Sequence, residues 1–109
     1  MKIYDNGGKT FDRYTAVFIT MPESYPGSFE AIGMSSSPFS PQGFGQHCSA
    51  MPGRHLGKLI EFKTLPSDCQ KLVLRDLKEI VRYHEGLAAN CEPYCNLQNE
   101  INEMFKELP

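Results

Sequence analysis

The sequence of 109 residues lacks any apolar run long enough to cross a bilayer. Its first twenty residues lack the basic, apolar and small-residue order of a secretory signal, so a cytoplasmic chain with reduced thiols is expected. No Cys-x-x-Cys occurs among Cys48, Cys69, Cys91 and Cys95. The usual structural-zinc knuckle is thus missing, and the cysteines read as thiols, metal ligands or core packing before disulfides. Gly7-Gly8-Lys9-Thr10 lacks the upstream glycine and following helix of a phosphate-binding loop. Charge excess is missing too: a net charge of −2 gives no ground for non-specific nucleic-acid binding. Internal repeats are also absent.

What remains is an ordinary globular composition, 40% hydrophobic and 22% charged. One core is all a chain of this length supports, so residues 1–109 are read as a single domain, with a sheet and a long loop over 1–66 and helices over 67–109. Residues 1–66 are near charge balance, whereas from Glu85 onward only Lys106 opposes five glutamates. That acidic end reads as a solvated helix face.

The scaffold follows from local patterns. Lys2 to Asp5 reads as a strand running into Asn6-Gly7-Gly8, a turn signal because Asn and Gly tolerate positive φ. The return strand is expected over Lys9 to Thr20, with Asp12, Tyr14, Ala16 and Phe18 on one face and Phe11, Arg13, Thr15, Val17 and Ile19 on the other. Both faces are apolar from Ala16 to Ile19, which predicts a central strand covered on both sides there. A third strand is expected over Ser28 to Met34, with Gly33 as its bulge, and a fourth over Leu56 to Phe62.

Between the last two lies Ser35 to His55, with three prolines and three glycines and neither apolar period. A long structureless segment in a small domain is usually functional or disordered, and its two phenylalanines argue against disorder. It is read as an ordered loop.

Helix punctuation follows. Ser67 and Gln70 form a capping box, Asp68 suits the positive end of the dipole, and Gly86 is the expected stop. Cys69, Leu72, Val73, Leu77, Ile80, Val81 and His84 make the apolar stripe, with Lys71, Arg75, Lys78 and Arg82 on one opposite ridge. Pro93 opens a second helix with Tyr94, Leu97, Ile101, Met104 and Leu108 as its stripe. The order β-β-β-loop-β-α-α predicts an α+β fold: an antiparallel sheet of about four strands, with two C-terminal helices packed on one face.

Five sets of side chains carry candidate chemistry. Gly43-Phe-Gly-Gln-His-Cys48 offers close backbone approach, an amide, an imidazole and a thiol. If Cys48 is a nucleophile, His55 is the better base and Asp12 the orienter, since an extended segment points His47 and Cys48 to opposite sides. A small buried free cysteine is the plainer reading. His84, Cys91 and Cys95 could supply metal ligands, with Cys48, His47 or His55 as a fourth, or could equally be packing. Lys9, Arg13 and Arg54 flank the glycine-rich turns and could hold an anion. The ridge over residues 71–82 could meet a nucleic acid or an acidic protein, although Glu79 lies within reach of Arg75 and Arg82 and salt-bridged faces are common. Asp12 and Arg13 read first as residues on the less covered half of a central strand, satisfied by cross-strand pairs; the alternative is that Asp12 and Tyr14, on one face, border the loop.

The phrases Tyr4-Asp-Asn-Gly-Gly-Lys-Thr-Phe-Asp-Arg-Tyr-Thr15, Pro41-Gln-Gly-Phe-Gly-Gln-His-Cys48 and His55-Leu-Gly-Lys58 resemble those of a small family of uncharacterised phage and bacterial proteins, over residues 3 to 78. The resemblance carries no activity to any residue. It implies a phage or mobile-element accessory protein, of a kind that often binds a host component. The expected function is therefore a non-enzymatic binding module for a host protein or small polar ligand, without a cofactor. Its contacts would be Arg13, Gln42, Phe44, Gln46, His47, Arg54 and His55. The alternatives are a Cys/His hydrolase or transferase and a nucleic-acid-associated protein.

Overall fold

The computed structural model describes residues 1–22 and 27–88. Among these, five strands form one antiparallel sheet: β1 (Lys2–Asp5), β2 (Tyr14–Pro22), β3 (Phe29–Met34), β4 (Gly45–Ala50) and β5 (Lys58–Ile60). Their order is β4-β3-β2-β1-β5, so β2 is central as its two-sided apolar pattern predicts. One helix, α1 (Ser67–Ala88), packs on one face of the sheet. The class is α+β with an antiparallel sheet and a helix after it. Among the described residues no helix is long and apolar enough to cross a membrane.

Alternation along β2 decides which side chains meet α1. Tyr14, Ala16 and Phe18 face the helix with Ile3, Ile32 and Met34, and close on Leu65, Cys69, Leu72, Val73 and Leu77. Phe18, Ile32, Leu72 and Leu77 are buried to within 1%, and each contributes about 1.5–3 kcal/mol through removal from water. On the far face Tyr4, Val17 and Ala31 are buried under Phe29, Cys48, Ala50 and Leu56. Leu56 arrives there because β4 and β5 occupy opposite edges of the sheet. The connection, residues 51–57, must cross the sheet, and a single 3₁₀ turn at Arg54–Leu56 sets Leu56 on the far face.

Several expectations need correction. The sheet has five strands instead of four, because the second half of the expected loop, Gly45–Ala50, is a strand paired along its length with β3. The second strand begins at Tyr14, not Lys9. Residues 6–13 form a loop organised by the Asn6 side chain, which accepts from the Gly8 and Lys9 N–H groups and donates to Thr10 Oγ1. Gly33 pairs in regular register, and the irregularity lies between Val17 and Pro22. The fourth expected strand shrinks to Lys58–Ile60, since Phe62–Thr64 forms a 3₁₀ turn.

At the start of α1 the Pro66 carbonyl accepts from the Gln70 N–H, while the Gln70 side-chain amide donates to the Leu65 and Lys63 carbonyls. Gln70 thereby ties down the preceding turn instead of forming the expected box. The helix continues through Gly86 to Ala88, a glycine inside a helix costing only about 1 kcal/mol. The second expected helix, from Pro93 onward, lies outside the described residues.

Candidate functional site

The segment from Ser35 to Ala50 is held in a definite shape. Ser35 N–H donates to the Phe44 carbonyl at 2.8 Å, and Phe44 N–H donates to Ser35 Oγ at 3.0 Å. This clamp closes a short loop whose interior is fixed by Ser40 N–H to Ser37 O and Gly43 N–H to Ser40 O. From the helix, the buried Cys69 thiol donates to the Ser35 carbonyl at 3.3 Å. Two glycines are sterically required: a Cβ on Gly43 would collide with the Ser37 carbonyl, and one on Gly45 would collide with Leu72 of α1.

β4 then runs along the edge of the sheet. Among the described residues nothing pairs with its outer side, and all six of its residues are exposed or half-buried. Its side chains alternate between two environments. Cys48 and Ala50 lie on the far face near Ala31 and Phe29. His47 lies on the helix side, with Nε2 3.3 Å from Asp76 Oδ2. The opposition of His47 and Cys48 follows from the pleat, as an extended segment requires.

Aromatic groups flank this edge. Phe44 meets Phe11, ring centroids 6.3 Å apart, and Phe11 is 65% exposed. Phe39 is 46% exposed and carries the Arg75 guanidinium over its ring at 5.3 Å. Met51, just beyond β4, is also exposed. Phe11 was assigned to a strand face by the alternation of its neighbours; the loop around Asn6 presents it beside Phe44 instead. A phenylalanine directly following Gly-Gly-Lys-Thr was the available signal.

The expected contact residues do not converge on one point. Gln46 and His47 are exposed on β4, Phe44 is half-buried at its start, and Gln42 is exposed on the preceding turn. Arg54 and His55 are exposed on the crossing segment, and among the described residues no hydrogen bond joins either of them to β4. Arg13 is committed elsewhere, donating from Nε and Nη2 to Asp5 at 2.9 and 3.2 Å. That leaves Lys9 and Arg54 as the remaining cations of the anion-binding idea.

Nor is a thiolate favoured. Burial pushes the Cys48 thiol up, only partly offset by the Gly33 backbone, and the Asp12 and Glu30 carboxylates push it further. Asp12 does come to Cys48: a Cβ built on Gly33 would lie 3.6 Å from Asp12 Oδ2 and 3.9 Å from Cys48 Sγ. It arrives on the far face, however, while Tyr14 packs under the helix. The expectation that Asp12 and Tyr14 share a face fails because the strand begins only at Tyr14. Among the described residues no hydrogen bond joins Cys48 to a histidine, and a carboxylate beside a thiol opposes the thiolate a nucleophile needs.

On the basic ridge, Lys71, Arg75 and Lys78 are exposed, but Arg75 donates to Asp76 Oδ1 at 3.1 Å. Glu79 groups with His47 and Asp76. The side chains of Arg82 and His84, with Cys91 and Cys95, lie outside the described residues. Comparison with protein-family models, curated proteins and solved structures finds no match.

Proposed function

We propose that the chain is a non-enzymatic binding module that captures an extended segment of a partner protein along β4. The observation that carries this reading is the unpaired outer side of a six-residue strand with neither lysine nor proline in it. Edge strands are ordinarily blunted by charge, proline, bulges or a cover, because their free N–H and C=O groups template further pairing. β4 has none of the first three, and its register with β3 is regular throughout.

Strand addition uses main-chain hydrogen bonds for affinity and pockets for alternate side chains for specificity. Alternate residues of β4 direct about three N–H and three C=O groups outward. Phe11, packed on half-buried Phe44, at one end and Met51 at the other supply exposed apolar surface for the incoming side chains. The Ser35–Phe44 clamp and the Cys69 thiol hold the strand in place beforehand, which lowers the ordering cost of binding. The resemblance of the Tyr4–Thr15 and Pro41–Cys48 phrases to phage and bacterial proteins supports a host protein as the owner of that segment.

The test is partner capture from host lysate by wild-type protein and by a Gln46→Lys/Ser49→Lys variant, followed by hydrogen exchange of the complex. Both positions are exposed, so the variant should keep its thermal midpoint. Capture should fail in the variant, and exchange over residues 45–50 should slow in the wild-type complex. A partner that binds both forms equally, or that protects only the helix ridge, sinks the reading. A small polar ligand would move side-chain signals without slowing the backbone.

A further inference from the structure

One buried charge is not explained by strand capture. Asp76 is only 6% exposed, and its position falls on the apolar stripe of α1, in step with Cys69, Leu72, Val73 and Leu77. A carboxylate buried in such a stripe is costly unless it is paired and hydrogen-bonded. Its Oδ1 accepts from Arg75 Nε at 3.1 Å. Its Oδ2 faces His47 Nε2 at 3.3 Å, across the seam between α1 and the edge strand. A nitrogen and a carboxylate oxygen at that separation are joined either by the hydrogen that Nε2 carries in one imidazole tautomer or, if Nε2 presents its lone pair, by a metal ion held between them.

The spacing also fits an ion, and a third ligand stands beside the pair. Nitrogen and oxygen ligands of zinc lie about 2.0–2.2 Å from the metal, so two of them at a tetrahedral angle sit about 3.3–3.5 Å apart. That is the observed spacing. Glu79 stands one turn along the helix from Asp76, on the same side. One donor atom from each of His47, Asp76 and Glu79 lies within 4.8 Å of the others. We infer that His47, Asp76 and Glu79 form a binding site for a divalent first-row transition ion of the zinc class. One imidazole and two carboxylates suit zinc better than magnesium or calcium, which prefer all-oxygen sets.

Each residue has a distinct part. Asp76, fixed by burial and by Arg75 on its other oxygen, is the preorganised ligand, and Arg75 orients it from the second layer. His47 brings the edge strand to the ion. Glu79, an exposed side chain, closes the set by turning toward the ion, with solvent completing the coordination. This site uses the helix-side side chains of β4, whereas an added strand uses its outer backbone, so the two proposals stand independently.

The experiment is calorimetric titration of the untagged full chain with Zn²⁺, together with Co²⁺ titration followed by visible absorption. The expected result is one equivalent bound. His47→Ala and Glu79→Gln should each weaken it at least about tenfold, a ligand being worth no less than the second-layer partners that cost about tenfold to hundredfold. Glu79→Gln changes an exposed side chain, so retained folding keeps the test decisive even if Asp76→Asn fails to fold. A Cys91→Ser/Cys95→Ser variant should bind as the wild type does. Absence of binding, binding that survives both His47→Ala and Glu79→Gln, or binding lost with the cysteines would each overturn the inference.

Discussion

Replacing Gly45 by alanine tests how β4 is seated on the helix. A Cβ there would collide with Leu72 Cδ2 and approach Leu72 Cγ at 3.5 Å and Pro38 Cβ at 3.4 Å. Leu72 is only 1% exposed, so it has no open space into which to turn. Overpacking of this kind costs about 1–3 kcal/mol. Leu72→Ala alone creates a cavity and costs about 2–5 kcal/mol. In the Leu72→Ala background the obstacle is gone, and Gly45→Ala should then be neutral or slightly stabilising, because alanine loses less conformational freedom in a strand. The double-mutant cycle should therefore show a coupling of about 1–2 kcal/mol. Urea unfolding measures it, as shifts in midpoint at constant m-value. Additive costs, with Gly45→Ala equally harmful in both backgrounds, would show that β4 does not rest on α1 through this contact.

Two further outcomes follow from ionisation. Cys48 should be alkylated at neutral pH more slowly than a free thiol, because burial raises it. Cys69, pushed up to about 11 by burial and by Asp68, should react only on unfolding. Mass spectrometry of timed iodoacetamide reactions checks both, and a Cys48 faster than a model thiol would restore the enzyme reading. At acid pH the Arg13 guanidinium holds Asp5 below its usual 3.8. The unfolded chain then takes up its proton first, so this pair's contribution is complete above about pH 4 to 5 and fades as pH falls through the lowered value. Arg13→Gln should flatten that acid slope slightly, because a solvent-screened pair contributes little. Unchanged urea midpoints between pH 5 and 2 would count against it.

The buried half of this fold was legible and its edge was not. Alternation at Tyr14, Ala16 and Phe18 against Val17 identified the central strand, and those four side chains are buried on the faces it assigned. A central strand must be apolar on both sides, so its signal is strong. β4 carries only Cys48 and Ala50 as its half-buried residues and has no β-branched side chain. An edge strand covered on one flank gives little periodic signal, and glycine and proline on either side made it look like loop. The alternation Gln46-His47-Cys48-Ser49-Ala50, stopped by Pro52-Gly53, was the available cue. Asp76 was hidden differently. The stripe Cys69, Leu72, Val73, Leu77 skips a position that helical spacing makes buried, and a gap filled by a carboxylate marks a polar group with a partner to find.

The placement of both proposed sites has a common physical cause. β2 and β3 spend their faces on the core, where Ala16, Val17, Phe18, Ala31 and Ile32 are fully buried and leave nothing to spare for recognition. β5 has only three residues, one of them a lysine. Among the described strands β4 alone combines length, an open backbone edge and polar side chains. It is also fastened without a large apolar face of its own: Gly45 against Leu72, Phe44 clamped to Ser35, and His47 set opposite Asp76. Those fastenings let a strand of weak intrinsic propensity stay ordered while its outer side remains available. A sheet edge built in this way is stable because the helix holds it, and that is why the buried carboxylate of α1 and the exposed backbone of β4 meet at one seam.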